Sequence, residues 1–366
     1  MVDETGVPGS DVEFDVFLHG TVFLDIIFTG LPAPPTPGKE IWATGMGSSP
    51  GGIANLATAA SRLGLRTSLA AAFGDDVYGE FCWRTLADQE GIDLSHSRSF
   101  EQWHSPVTVS IASEGDRSMV THGHPPPVPP GEMIGRPPRS RAVLLDLDTG
   151  PETAGTSPDW VEHARRDGAL VFADVGWDDT GQWSSRTLDQ LSSCHAFLPN
   201  AAEAMAYTRT DTPRDALYAL ADRVPLAVVT NGVHGALAID SATGEEAEVP
   251  SLRVSAIDPT GAGDVFGTAI VLGTLNGWPL AHRLAFAAVC SGLAVQQFGG
   301  SLAAPGLGDV LDWWQQVKAQ HEPGAYAASL RRRYAFLDDI RPSAPLRHRR
   351  RAAATIARLS DLDASP

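Results

Sequence analysis

The chain has no apolar run of the roughly 18 residues that a membrane-crossing helix needs. Its first residues, Met1-Val2-Asp3-Glu4, are acidic where a secretory leader is basic, so a cytoplasmic location is the expectation. Cysteine is scarce. Cys82, Cys194 and Cys290 are odd in number and far apart, which suggests neither a disulfide framework nor a zinc knuckle, and they read as core residues. Positive charge is short as well, and a formal net charge of −17 over 366 residues argues against a general nucleic-acid surface. The basic residues that exist gather late: residues 319–366 hold nine arginines against five acidic residues, including Arg331-Arg332-Arg333 and Arg349-Arg350-Arg351. This extension lacks the interleaved aromatics of a base-stacking surface and reads as a solvated or self-docking segment, the alternative being contact with nucleic acid or an acidic partner. There is no internal repeat. A Walker A sequence is missing, and no GxGxxG follows the first strand-like run, which disfavours a P-loop NTPase and a Rossmann dehydrogenase.

What is present is an alternation of β-rich and amphipathic helical runs, the pattern of a mostly parallel sheet covered by helices on both faces. Strands are expected at 12–19, 67–73, 142–147, 169–174, 196–198, 226–230 and 236–240. Helices are expected at 54–64, 77–90, 158–167, 184–192, 201–208, 213–223, 262–275, 281–297 and 308–319. Two stretches break the alternation, about 22–48 around a Pro-rich turn and about 105–122, where a hairpin is expected about Glu114-Gly115-Asp116-Arg117. Together they would form a small β-layer over the C-terminal edge of the main sheet, where open α/β folds bind ligands; the alternative is plain surface hairpins. Residues 124–138 are too Pro-rich for regular structure and read as a linker.

The segment Ile257-Asp258-Pro259-Thr260-Gly261-Ala262-Gly263-Asp264-Val265-Phe266 concentrates the chemistry. Gly261, Ala262 and Gly263 open a helix, where backbone N–H groups and the helix dipole suit a phosphate. Asp264 follows in the first turn, placed to take a proton from an attacking hydroxyl. Read alone, the same residues make a tight turn and a helix cap.

Other segments bring the motif into company. Pro50-Gly51-Gly52-Ile53-Ala54-Asn55-Leu56-Ala57 and Phe73-Gly74-Asp75-Asp76-Val77-Tyr78-Gly79 precede it, and Gly91-Ile92-Asp93, Asn200-x-x-Glu203, Thr230-Asn231-Gly232 and Pro305 occur in order. Over about residues 12–318 this ordered set resembles the ribokinase/PfkB-like carbohydrate kinase family. The resemblance implies a three-layer α/β/α kinase domain at 12–318 with a small β-sheet lid, followed by the basic extension.

It also implies roles for particular residues. Asp264 would be the general base, with the amides of Gly261, Ala262 and Gly263 as the anion hole for the transferring phosphoryl group. Asp25, Gly51, Gly52 and Asn55 would bind the substrate. Asn200, Thr230 and Gly232, with Gly261 and Gly263, would meet ATP, and an adenine slot would lie between Leu252–Ile257 and Ala288–Gly292. Asn200 and Glu203 would position Mg²⁺ through water, and Asp258 would border a monovalent cation such as K⁺. A homodimer through the lid is the family expectation. Without the family, Asn55 would be a helix cap, Glu203 a solvated helix charge, and Thr230-Asn231-Gly232 a strand-end turn.

The departures from the family pattern fall on the substrate side. Pro50 replaces the first of paired glycines, Gly52 stands where ribokinases carry lysine, and Phe23 stands where they carry asparagine. A substrate flatter or more apolar than ribose becomes plausible, with Phe23 as lid core the competing reading. Asp174-Val175-Gly176-Trp177-Asp178 lacks the Asn and Arg of the usual Asp-Pro-Asn-x-Arg, and Ala303 replaces a frequent serine. The leading function is an ATP-dependent sugar kinase. A nucleoside kinase of the same fold and a non-catalytic sugar or nucleotide sensor are the alternatives.

Overall fold

The computed structural model describes residues 12–113, 116–147, 157–176, 178, 180–320, 324–342 and 344–349. The acidic N-terminus, Glu114-Gly115 of the hairpin turn, Trp177 and the arginines Arg350 and Arg351 lie outside them.

The chain opens with β1 (Phe14–His19), leaves the main body as β2 (Val22–Thr29) and returns as β3 (Gly45–Gly52), which runs directly into α1 (Ile53–Arg62). β4 (Thr67–Ala70) and β5 (Ala72–Gly74) occupy the single strand expected at 67–73. The break falls at Ala71, whose N–H is taken by the Ser97 hydroxyl at 3.0 Å and whose carbonyl accepts from Arg98, so β5 pairs with β6 (Arg98–Phe100) and leaves the main sheet. Between β5 and β6, α2 (Val77–Arg84) is capped by Asp76, which accepts from the Gly79 amide at 2.7 Å. The helix expected to reach residue 90 widens into a π turn at Thr85–Gln89.

β7 (Val107–Ser113) and β8 (Asp116–His122) form the expected hairpin. A short helix, α3 (Pro130–Ile134), corrects the reading of 124–138 as structureless: Pro130 sits in its first turn, where a missing N–H costs nothing, and Met133 and Ile134 are buried. Then follow β9 (Ser140–Asp146), α4 (Asp159–Arg166), β10 (Leu170–Asp174) and a 3₁₀ segment, Ser185–Ser193, in place of an α-helix. β11 (Ala196–Phe197), α5 (Ala201–Thr208), α6 (Pro213–Ala221), β12 (Leu226–Thr230), β13 (Ala236–Asp240) and β14 (Glu245–Val249) complete the sheet. β14 was not expected, because Glu245-Glu246-Ala247-Glu248 is a poor strand by propensity; edge pairing with β13 overrides it. The C-terminal helices are α7 (Ala262–Leu275), α8 (Leu280–Ala294), the short α9 (Gly300–Ala303), α10 (Leu307–Ala319) and α11 (Ala325–Tyr334).

The main sheet has eight strands in the order β14-β13-β12-β11-β10-β9-β1-β4, parallel except for the β12-β13-β14 meander. Alternate residues feed two cores. Val16, Leu18, Leu144 and Val228 face α1, α7, α8 and α10, while Phe17, Val143, Val171 and Val229 face α4, α5 and α6. The second sheet, β3-β2-β7-β8, joins the two excursions as one four-stranded layer. This is a three-layer α/β/α body with a small β-sheet beside it, as expected.

Residues 324–342 and 344–349 pack on the body. Tyr334 and Leu337 are buried in the first core. Arg62 on α1 makes a bidentate ion pair with Glu90 (Nε–Oε2 3.0 Å, Nη2–Oε1 2.8 Å), and Arg347 closes over it, donating to the carbonyls of Ser61, Gln89 and Glu90. The three cysteines are buried and unpaired. Burial raises each thiol above its ordinary range, Cys194 to about 12, so they behave as core residues. Among the described residues, no helix is long and apolar enough to cross a membrane.

Candidate active site

Parallel strands end together, and their C-terminal ends deliver polar residues to one edge. Asp146 and Asp174 are register partners at the ends of β9 and β10, and Asn200 bridges Thr230 beyond β11 and β12. α5 starts at Asn200 through a capping box: Asn200 Oδ1 accepts the Glu203 N–H at 3.0 Å, and Glu203 Oε2 accepts the Asn200 N–H at 2.9 Å. Glu203 is therefore a buried carboxylate and not a solvated helix charge.

The 257–264 segment arrives from the other side. Gly261 adopts φ +72°, and a Cβ there would stand 2.7 Å from Gly300 Cα, so only glycine permits this approach of the two loops. Asp258 ties them: it accepts from the Thr260 N–H (2.9 Å), the Thr260 hydroxyl (2.5 Å) and the Gly299 N–H (3.0 Å). Of the three cradle amides, that of Ala262 is directed at the Pro259 carbonyl at 3.2 Å. Asp264 lies in the first turn of α7, where Gly261 holds the N-cap position. Its Oδ2 accepts from Nδ2 of Asn55, 209 residues away, at 2.9 Å. Asn55 is no cap of α1, where Gly52 holds the N-cap position; it is buried, and its Oδ1 has no partner among the described residues.

The lid supplies the facing wall. Asp25 on β2 is buried, and its carboxylate lies against Gly51 of β3 so closely that a Cβ on Gly51 would meet Oδ2 at 2.0 Å. The half-buried Phe23 ring lies against Gly52, where a Cβ would meet Cδ2 at 2.7 Å. Beyond the Gly261 turn, a cavity of about 260 Å³ is walled mainly by apolar groups, among them Leu252, Val254, Ala288 and Gly292, with Thr230, Gly232 and Gly263 also in its lining.

Electrostatically the site is a concentration of carboxylates. Asp146 is exposed at the open sheet edge, yet loss of hydration from the protein around it, then the Asp264 charge, pushes its carboxyl up to about 6. Asp174 is raised well above its ordinary value by loss of hydration, then by Asp146, Glu203 and Asp264, and Glu203 is raised mainly by burial. The arrangement joins an apolar slot, an anion cradle at a helix start and a carboxylate held by an amide, within a field that favours cations.

The family model for pfkB family carbohydrate kinases matches residues 36–125 and 159–306 of the chain. The chain belongs to that family. This kinase is 29% identical over 283 residues to a fructokinase of Klebsiella pneumoniae, covering 70% of the chain and 89% of the relative. It is 25% identical over 295 residues to the ribokinase of Bacillus subtilis, covering 80% and 96%. The structure of Arabidopsis thaliana ribokinase complexed with ribose and ATP superposes with a TM-score of 0.67 at 22% identity, covering 82% of the kinase and 98% of that chain. The fold is ribokinase-like, and the kinase is a phosphotransferase of the sugar and nucleoside class that acts on an alcohol group.

The structure brings Asp264, Asn55 and the Gly261–Gly263 turn together, places Asn200, Glu203, Thr230 and Gly232 along the sheet edge, and sets Asp25, Gly51 and Gly52 in the lid wall. Reading the sequence missed Asp146 as a site residue and noted Asp174 only as a departure from a motif. A signal existed: both close or nearly close expected parallel strands, at the sheet edge where such folds bind ligands.

Proposed function

We propose that the kinase transfers the γ-phosphoryl group of ATP to a hydroxyl of a monosaccharide or related polyol in the cytoplasm, with Asp264 as general base. The observation that carries this reading is the Asn55–Asp264 hydrogen bond, which aims a carboxylate at the start of α7 beside the glycine cradle. The substrate hydroxyl gives its proton to Asp264 as its oxygen bonds to the γ-phosphorus and the bond to the β-phosphate oxygen breaks. The amides of Gly261 and Gly263, with that of Ala262 once it leaves Pro259, carry the charge of the transferring group. Asp25 and Asn55 hold neighbouring substrate hydroxyls, one accepting and the other accepting through Oδ1, with Gly51 and Gly52 allowing close approach. Adenine fills the apolar slot, and Thr230, Gly232 and Asn200 face the phosphates.

Mg²⁺ fits the donor set. The carboxyls of Asp146, Asp174 and Glu203 are raised together by loss of hydration and by neighbouring carboxylate charge, the condition that a divalent cation relieves. Asn200 and Glu203 would hold it through water, and it would supply charge neutralisation of the phosphates. Asp258 would border a K⁺ site beside the loops it ties. A homodimer through the lid is supported by exposed Met119 and Val120 on its edge strand β8.

The test is ATP consumption with Mg²⁺, with and without K⁺, over pentoses, hexoses, sugar acids, sugar phosphates and nucleosides, with Asp264→Asn as the blank. Loss of the base should lower kcat by about 10²–10⁴ while KM stays within a few fold. Wild-type turnover in that variant would sink the assignment of Asp264. A nucleoside preference would favour the second reading, in which the Phe23 face against Gly52 carries a flat base. ATP binding without turnover on any acceptor would favour a sensor.

A further inference from the structure

We propose that His104, His122 and His124 form a transition-metal site of the Zn²⁺, Ni²⁺ and Cu²⁺ class at the root of the lid. The metal-binding atoms of the three side chains lie within 4.8 Å of one another, and this is the one such His, Cys, Asp or Glu group among the described residues. The ring centroids make a nearly equilateral triangle: 5.1 Å for His104–His122, 5.0 Å for His104–His124 and 5.2 Å for His122–His124. Three imidazoles on a tetrahedral ion, with metal–nitrogen bonds of about 2.0–2.1 Å, place their ring centres roughly 5 Å apart. His104 and His122 stack nearly parallel, 13° between planes, so ring rotation about χ2 completes the convergence without moving backbone.

The backbone beneath the rings is held in place. Nδ1 of His104 lies 3.2 Å from the Ser105 carbonyl, which can only accept, so Nδ1 carries the proton and Nε2 is left as the ligand. Metal-binding histidines are oriented by such a bond. Ser105 is itself fixed, its N–H donating to Asp76 Oδ2 at 2.7 Å and its hydroxyl accepting from the Gly74 N–H at 3.0 Å. The two segments carrying the rings touch: Trp103 Nε1 donates to the Pro125 carbonyl at 3.0 Å, and a Cβ on Gly123 would stand 2.8 Å from Pro106 Cβ. His104 precedes β7, whereas His122 ends β8 and His124 follows it. An ion on all three would therefore staple the two crossings by which the β7-β8 hairpin leaves and rejoins the body. Neutral imidazole selects borderline metals over Mg²⁺, so this site is chemically distinct from the carboxylate cluster.

The experiment is a Zn²⁺ titration by calorimetry of the full, tag-free chain in excess Mg²⁺, followed by hydrogen exchange across residues 103–124. The expectation is one ion per chain, slowed exchange in both crossings, and loss of both effects in His122→Gln/His124→Gln. Equal kcat and metal-free melting temperature in that variant establish that it is folded, and His104→Gln provides a second, independent loss. No Zn²⁺ uptake by the wild type with the metal in excess, or uptake and protection unchanged in the variants, overturns the site.

Discussion

Replacing Asn55 by alanine isolates what holds the proposed base in place. In the wild type, Asn55 Nδ2 donates to Asp264 Oδ2 at 2.9 Å, and Asn55 is buried beneath Gly300, whose Cβ, were there one, would sit 2.5 Å from Oδ1. The bond joins a neutral donor to a carboxylate, a type worth about 1.5–3 kcal/mol. If that orientation is needed mainly in the transition state, kcat falls by roughly 10-fold to 150-fold, since about 1.4 kcal/mol is a factor of ten. The drop should be smaller than that of Asp264→Asn, because the carboxylate remains. KM for the acceptor rises as well, because Oδ1 is lost, while KM for ATP stays within a few fold. Steady-state kinetics with each substrate varied separates these effects, and circular dichroism establishes that the variant folds. A folded Asn55→Ala enzyme with unchanged kcat would refute the claim that this bond aims the base.

Other substitutions probe the remaining parts. Gly51→Ala drives a methyl group into the space of the Asp25 carboxylate, at 2.0 Å, and should raise the acceptor KM sharply; an unchanged KM would remove Asp25 from the pocket. Glu90→Gln leaves the Arg62 guanidinium, 2% exposed, without its counter-charge, and should cost about 3–5 kcal/mol in a urea melt. Asp146→Asn tests the carboxylate cluster through pH. The folded group titrates near 6 instead of 3.8, so the native state holds extra protons between those values and the charged form destabilises it fully only above about 6. The variant should therefore melt higher than wild type at pH 7.5, the difference should vanish below about pH 3.8, and Mg²⁺ should narrow it; a constant difference at every pH would refute this.

Most elements were legible because their patterns were strong and local. α7 matches its expected span because an apolar run starts after a glycine turn, and the β7-β8 hairpin follows from alternation about its turn. Three things were less visible. β14 depends on a neighbour for its pairing, the break between β4 and β5 depends on Ser97, and the Asn55–Asp264 bond depends on two residues 209 apart. Sequence shows the residue types of such contacts but not their distances. Asp146 illustrates the limit most clearly: a strand-end aspartate has no motif of its own, and its perturbed carboxyl arises from folding that strips hydration from it and sets the Asp264 charge nearby.

The closure of Arg347 over the Arg62–Glu90 pair bears on how this protein is made. Synthesis proceeds from the N-terminus, and domains generally fold as they emerge. Here α1 and Glu90, which follows the π turn, belong to the first hundred residues, yet their polar seal arrives with residue 347. A nascent chain released by the ribosome short of that point would carry every proposed catalytic residue and still present an open seam beside its first helix. Quality control acting on such truncated products would have that seam to recognise, and Arg347 is the residue that closes it.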